Sequence, residues 1–392
     1  MTNRVGGFIG QDGLNAPDEP TAVSATAGDT QATVSFTAPS DVGGSAITGY
    51  RAQSNDGIGA SGSASPITVT GLTNGTAYTF RVWAINAFGY SAPSDASGSV
   101  SPYAPRGVFV GGSAGSNVID YITFAGGNAA DFGDISTGSE VVGGCGSQTR
   151  GVFGAFSLIN QTLEYITFAS TGNSTNFGSL SQRDINSGCS NNTRGLFMGG
   201  RDTGVNIVNT ISYITIATTG GSSDFGDLLN KAYGMGAAGS STRAVFAGGY
   251  TDTSIMVNVI QYVTIGTTGN ATDFGDLSAA RGINASGASS STRALFGGGN
   301  DSSFTKTNII EYVTIATTGN ATDFGDLTYG NEENAACSNA TYGVFAGGRA
   351  PGSVTNVINR VTISSAGNAS DFGDLTVARA NLASASNAHG GL

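Results

Sequence analysis

Val, Ile, Phe and Tyr recur along this chain in runs of a few residues, separated by Gly, Ser, Thr and Asn. That spacing predicts many short strands joined by tight turns. Near the start, Ala32-Thr-Val34-Ser-Phe36-Thr alternates apolar and polar positions, as a half-buried strand does. After a turn between Pro39 and Ser45, Ile47-Thr-Gly-Tyr50 begins another strand, and Tyr78-Thr-Phe80-Arg-Val82 a further one.

From Arg106 onward the pattern repeats. Arg-Gly-Val-Phe or a close variant starts at Arg106, Arg150, Arg194, Arg243 and Arg293, and again as Tyr342-Gly-Val-Phe345. Asp-Phe-Gly-Asp or its variant starts at Asp131, Asn176, Asp224, Asp273, Asp323 and Asp371, at intervals of 45, 48, 49, 50 and 48. Six units with a period near fifty predict a propeller or a solenoid. Each unit holds four strand-like pieces, and the fifth shows them well. Arg281–Ser289 is strand a, Thr292–Gly299 strand b, Ile309–Ala316 strand c and Asp323–Leu327 strand d. Four strands make one propeller blade. The first unit begins at strand b, while Arg379–Ser386 at the other end matches strand a. The C-terminal strand is therefore expected to complete blade one and leave no exposed edge.

Two resemblances follow from these residues. The segment with Pro20, Tyr50, Leu72, Tyr78 and Pro93 resembles a fibronectin type III domain, Leu72 and Tyr78 matching its tyrosine-corner pair and Phe36 standing where a tryptophan is common. The repeats resemble a divergent kelch class: an apolar strand ends in a double glycine, such as Gly248-Gly249, and a tyrosine-bearing strand and an aromatic before Leu follow. Phe replaces the kelch Trp throughout, and Gly154-Ala155 breaks the glycine pair. The expected fold class is thus all-β. Residues 1–16 would be an N-terminal docking segment, 17–104 a fibronectin type III-like sandwich, and 105–392 a six-bladed kelch-type β-propeller closed by a C-terminal strand.

Composition narrows the function. The 392 residues carry a net charge of −11 with no basic tract, which argues against nucleic-acid binding. No apolar run of about twenty residues is available to insert in a membrane. Met1–Ala16 lacks the basic and apolar regions of a secretory signal. His389 is the one histidine, read as a polar residue near a chain end, which removes most acid–base and multi-histidine metal chemistry. Asp-Phe-Gly recurs five times, with Asn-Phe-Gly in the second unit, without the rest of a kinase signature, so it reads as structural: Phe fills the core, Gly turns, and the Asp residues bond backbone N–H groups or a nearby Arg. Its two carboxylates fall short of the six to eight oxygens that calcium takes. No cofactor, metal or catalytic residue is expected, and a propeller hydrolase is disfavoured. Cys145, Cys189 and Cys337 hold a place that Ala238 and Ala288 fill elsewhere, a small buried position. Sequons such as Asn173, Asn270, Asn320 and Asn368 belong to the repeated Gly-Asn turn.

Between strands b and c the units differ most, whereas Thr267–Leu277 and Thr317–Leu327 are identical. A constant scaffold with variable loops is how binding surfaces are built. The b–c and d–a connections share one rim, and its candidate contacts are Phe156, Arg201, Asp202, Tyr250, Asp252, Asp301, Phe304, Lys306 and Arg349. The whole chain, including Arg4-Val-Gly-Gly-Phe-Ile-Gly-Gln-Asp-Gly-Leu-Asn-Ala-Pro17, resembles virion proteins of tailed bacteriophages of marine and cyanobacterial hosts. That resemblance implies a location on the phage particle and other virion proteins as partners. A tail, fibre or baseplate appendage touching a host-surface glycan or receptor is one expectation, and a capsid or tail decoration without a ligand is the other.

Overall fold

The computed structural model describes residues 15–138, 140, 143–154, 161–181, 187–202, 204, 206–251, 255–282 and 287–392. These residues are almost wholly strand and turn, with one three-residue 3-10 turn at Ser113–Gly115. The chain divides into two compact units, Met1–Ala104 and Pro105–Leu392. No helix among the described residues is long and apolar enough to cross a membrane.

In the first unit, Thr21–Gly28, Gln31–Thr37 and Ile67–Thr70 form one sheet, in that order. Gly59–Gly62, Gly49–Ser54, Phe80–Asn86 and Gly89–Tyr90 form a second. Alternation sends Val34, Phe36, Tyr50, Val69, Phe80 and Val82 into one core. The Tyr78 hydroxyl accepts a bond from Thr73 N–H at 3.0 Å, which fixes the corner expected there. The last strand is only two residues long. It ends at Tyr90, and the chain runs on beside Phe80–Asn86 with a period of three. Ser91, Ser94 and Ser97 donate their N–H groups to Ala84, Val82 and Phe80 oxygens. Their hydroxyls accept the N–H groups of the same three residues at 2.9–3.0 Å. Pro93 has no N–H to give a ladder, and the three hydroxyls replace the missing backbone partners.

Among the described residues of the second unit there are six four-stranded antiparallel sheets. Sheet 1 has strand a Ala383–Ser386, b Arg106–Val110, c Val118–Thr123 and d Ala130–Asp134. Strands a to d of sheet 2 are Gly143–Gly146, Arg150–Gly154, Thr162–Thr167 and Thr175–Ser179; of sheet 3, Ser187–Ser190, Arg194–Met198, Thr210–Thr215 and Ser223–Asp227. Sheet 4 has Gly236–Gly239, Arg243–Ala247, Val259–Thr264 and Thr272–Asp276; sheet 5, Ala288–Ser289, Arg293–Gly297, Ile309–Thr314 and Thr322–Asp326; sheet 6, Ala335–Ser338, Tyr342–Ala346, Val357–Thr362 and Ser370–Asp374. The strand a anticipated in sheet 1 is present, with Ala383 opposite Val110 and Ser386 opposite Gly107.

Strand b is buried on both faces because a sheet packs on each side of it. Apolar clusters join consecutive sheets. Val152, Phe177, Phe197 and Ile214 join sheets 2 and 3, and Val344, Leu375, Phe109 and Ile122 join sheet 6 to sheet 1. The Phe of each Asp-Phe-Gly turn is the wedge: Phe132 and Phe225 are both buried between sheets. Its glycine sits at a register shift, with φ of +147° at Gly133, and a Cβ there would lie 2.5 Å from the Gly172 carbonyl of the next sheet. The Gly-Asn turns clip neighbours together. The Oδ1 atoms of Asn173, Asn270, Asn320 and Asn368 accept the N–H of Asp134, Asp227, Asp276 and Asp326. Asn128 of sheet 1 does the same for Asp374 of sheet 6, at 3.1 Å.

Candidate functional site: the b–c and d–a connections

The b–c and d–a connections of a sheet are tied to each other by short bridges. Tyr250 bridges both Tyr233 and Met256, Asn300 bridges both Gly282 and Lys306, and Arg349 bridges Glu332. Arg201 bridges Ile207. The double glycines let this happen, since Gly248 and Gly249 take φ of +67° and +101° and turn the chain out of strand b.

Most of the anticipated contact residues are engaged within these loops. Asp202 Oδ1 accepts the N–H groups of Gly204 and Asn206, and Asp301 Oδ1 those of Ser303 and Thr305. Both are Asx turns that shape the loop tip. Lys306 Nζ donates to Ala350 O at 3.1 Å and lies 3.3 Å from Glu332 Oε1, linking sheet 5 to sheet 6. Arg349 Nε pairs with Glu333 Oε2. Burial pushes the Glu333 carboxyl up, against the opposing pull of Arg349. Glu333 also holds a left-handed φ of +56°. Arg201 lies over the Tyr233 ring at 5.1 Å. Tyr250 corrects the expectation of an exposed contact: its side chain is buried and stacks on Tyr233 with centroids 5.0 Å apart. Phe304 is 63% exposed. Phe156 and Asp252 lie outside the described residues.

Beside exposed polar residues such as Lys231 and Ser303, these connections carry exposed apolar side chains. Among the described residues of Pro105–Leu392, the large hydrophobic side chains that are exposed are Leu229, Ile255, Phe304 and Val377. Leu229 and Val377 lie on d–a connections, Ile255 and Phe304 on b–c loops. All four fall on one side of the sheets. Leu229 and Val377 follow the buried Leu228 and Leu375 closely in sequence, so their exposure is not forced by a core role.

Other polar residues, missed in the sequence, hold the d–a connections down. The strand-c residue before the tyrosine, or before Arg360 in sheet 6, is polar and buried in every sheet: Asp120, Glu164, Ser212, Gln261, Glu311 and Asn359. Asp120 accepts Thr376 N–H, Thr376 Oγ1–H and, at 2.8 Å, Arg379 Nη1–H. Glu311 accepts Ser278 N–H and pairs with Arg281. Gln261 and Asn359 accept the N–H groups of Leu229 and Thr328. Burial lowers the Arg281 and Arg379 pKa, and Glu311 and Asp120 oppose that shift. A fixed polar position inside an otherwise apolar strand was the available signal.

The repeated arginines do not serve the Asp-Phe-Gly-Asp carboxylates, contrary to one expectation. Arg150 lies 4.6 Å from the Tyr165 ring centroid and donates to Ala217 O of the next sheet at 2.8 Å. Arg194, Arg243 and Arg293 repeat both contacts. Among the described residues, Asp371 Oδ1 accepts Gly373 N–H as anticipated for these turns. Sheet 6 reverses the stacking pair: Tyr342 takes the arginine's place and Arg360 the tyrosine's, with the guanidinium again 4.6 Å from the ring.

A cavity is lined by strand a of all six sheets, including Gly146, Ser190, Gly239, Ser289, Ser338 and Ser386. Ser190, Ser289 and Ser338 hydroxyls donate to Gly146, Gly239 and Ser289 oxygens of the preceding sheet. His389 is half-buried and lines this cavity. The cysteines fill gaps opposite glycines, Cys145 Sγ against Gly195 and Cys337 Sγ against Gly107. Burial pushes the Cys189 thiol up to about 12 and those of Cys145 and Cys337 further, so all three are inert thiols. No three His, Cys, Asp or Glu side chains among the described residues converge as a metal site.

Compared with known proteins, residues 18–99 match the fibronectin type III domain. No curated protein matches the sequence.

Proposed function

We propose that Pro105–Leu392 is a closed six-bladed propeller of kelch type, and that the protein is a non-enzymatic structural component of a tailed-phage virion. Its b–c and d–a rim would dock a partner protein or a host-surface glycan, and the fibronectin type III domain would act as a spacer or scaffold. The closed architecture is supported by the bonds between consecutive sheets, which continue from sheet 6 to sheet 1 through Asn128–Asp374 and Asp120–Thr376. The virion setting is supported by the resemblance of the N-terminal motif and the repeats. A non-catalytic role accords with the engagement of both His389 ring nitrogens.

The restriction of Leu229, Ile255, Phe304 and Val377 to the b–c and d–a connections carries the binding reading. Exposed apolar side chains restricted to one side of a module favour that side as its binding surface. A decoration role without a ligand is the second reading. It is favoured by the internal bonding of Asp202, Asp301, Lys306 and Arg349, which spends their polar groups inside the loops.

The test uses the full chain immobilised against a glycan array and against proteins of disrupted phage particles. The binding reading expects retention of one ligand class and its loss in Ile255→Asp/Phe304→Asp, with melting unchanged. Retention that survives the double substitution would move binding off this rim. No retention from either source would leave the decoration role.

A further inference from the structure

We infer that residues 387–392 form a proton-sensitive latch across the strand-a cavity, locked by neutral His389. After Ser386 the chain remains tied to sheet 1, with Asn387 N donating to Arg106 O and Arg106 N to Asn387 Oδ1. It then crosses the cavity mouth. His389 Nε2 lies 2.9 Å from Gly146 O of sheet 2 and 3.3 Å from Ser190 Oγ of sheet 3. Gly390 N donates to Ser289 O of sheet 5. A Cβ at Gly390 would lie 2.1 Å from Ser290 O and one at Gly391 2.0 Å from Ser190 O, so only glycines fit this crossing. Six residues thus bond to sheets 1, 2, 3 and 5.

The two ring nitrogens have fixed and opposite duties. A carbonyl can only accept, so Nε2 carries the hydrogen that it gives to Gly146 O. Gly391 N–H can only donate, so Nδ1 accepts it at 3.0 Å and must be bare. One neutral tautomer satisfies both bonds. A proton added at Nδ1 leaves Gly391 N–H facing a second donor and puts a cation on a half-buried ring against a cavity lined by glycines, alanines, serines and thiols. The titratable groups lining the cavity are Cys145 on sheet 2, Cys189 on sheet 3 and Cys337 on sheet 6, all neutral thiols, so no lining carboxylate compensates that charge. Burial lowers the His389 pKa, with the Gly146 bond opposing, in agreement with this geometry. The released chain binds the proton more readily than the latched one. Latching is therefore fully stable above the free imidazole pKa, near 6.5, and weakens as pH falls below it, by up to tenfold per pH unit until the latched pKa is reached.

The single histidine makes the test direct. Imidazole 15N resonances of the full chain should report the Nε2–H tautomer at pH 7.5 and a midpoint below about 6.5. Hydrogen exchange of amides 390–392, corrected for intrinsic rates, should accelerate several-fold between pH 7.5 and 5.5. His389→Gln, which cannot titrate, should abolish that acceleration. An Nδ1–H tautomer, a midpoint at or above the free value, or equal pH dependence in both proteins would overturn the latch.

Discussion

Arg379→Met tests whether the ion pair with Asp120 fastens strand a to sheet 1. Arg379 and Asp120 side chains are 1% and 0% exposed, and Nη1 lies 2.8 Å from Oδ2. Arg379 Nη2 also donates to Phe109 O at 3.0 Å. Methionine fills the volume of the stem but removes the two hydrogen-bonding nitrogens, Nη1 and Nη2, together with Nε, which is buried without a partner. Asp120 would keep only the two Thr376 donors. Removing one partner of a buried pair costs about 3–5 kcal/mol, because the other charge stays buried. In a unit of this size about 2 °C accompanies each kcal/mol, so melting should fall by about 6–10 °C. Scanning calorimetry on the full chain measures this, and hydrogen exchange of Ala383–Ser386 locates it. Arg379→Met/Asp120→Leu removes both charges and should recover most of the loss. Arg281→Met breaks the Glu311 pair in sheet 5 and should cost a similar amount without loosening Ala383–Ser386. A single-mutant loss below about 1 kcal/mol, or a double mutant no better than the single, would refute the reasoning, since neither fits a desolvated charge left unpaired.

Deleting residues 377–392 should expose the edge of Arg106–Val110 and lower both melting temperature and solubility; an unchanged melting curve would show that this strand adds nothing. In sheet 6, Tyr342→Arg alone sets a second guanidinium against Arg360 and should cost about 1 kcal/mol, whereas Tyr342→Arg/Arg360→Tyr should return to within about 0.5 kcal/mol of wild type. Chemical denaturation distinguishes these outcomes, and equal loss in both would mean that the stacking is incidental.

Sequence and structure agree where a residue's environment is set by its own repeat. The Arg-Gly-Val-Phe and Asp-Phe-Gly-Asp markers fall on strands b and d, and their phenylalanines lie between sheets, because each unit meets the same neighbour in the same way. In the fifth unit strand b stops at Gly297, short of the expected Gly299, since Gly298 and Gly299 take positive φ and leave the ladder. Its strand a shows pairing only at Ala288–Ser289, and residues 283–286 lie outside the described set. The b–c and d–a connections were legible as loops on one side of the sheets, and less so residue by residue. Tyr250 looked exposed because variable loops usually are, but its ring partner Tyr233 sits on a different connection. His389 gave no hint of its place at the cavity, because Gly146 and Ser190 are distant in sequence. Tyr342 looked like a lapse in the arginine marker and is half of an exchanged pair with Arg360.

Sheet 1 also sets a timetable for synthesis. Arg106 and its partner Asn387 are separated by 281 positions. At the usual elongation rates of about 5–20 residues per second, strand b waits about 15–60 s on the ribosome for the strand that covers it. Bringing such distant ends together costs about 5 kcal/mol of chain entropy beyond the fixed term. Five sheets can be assembled from segments already made, while the first remains open along Arg106–Val110. That edge is the place where a nascent chain is most vulnerable to pairing with its neighbours on a polysome, and where a chaperone would have most to protect.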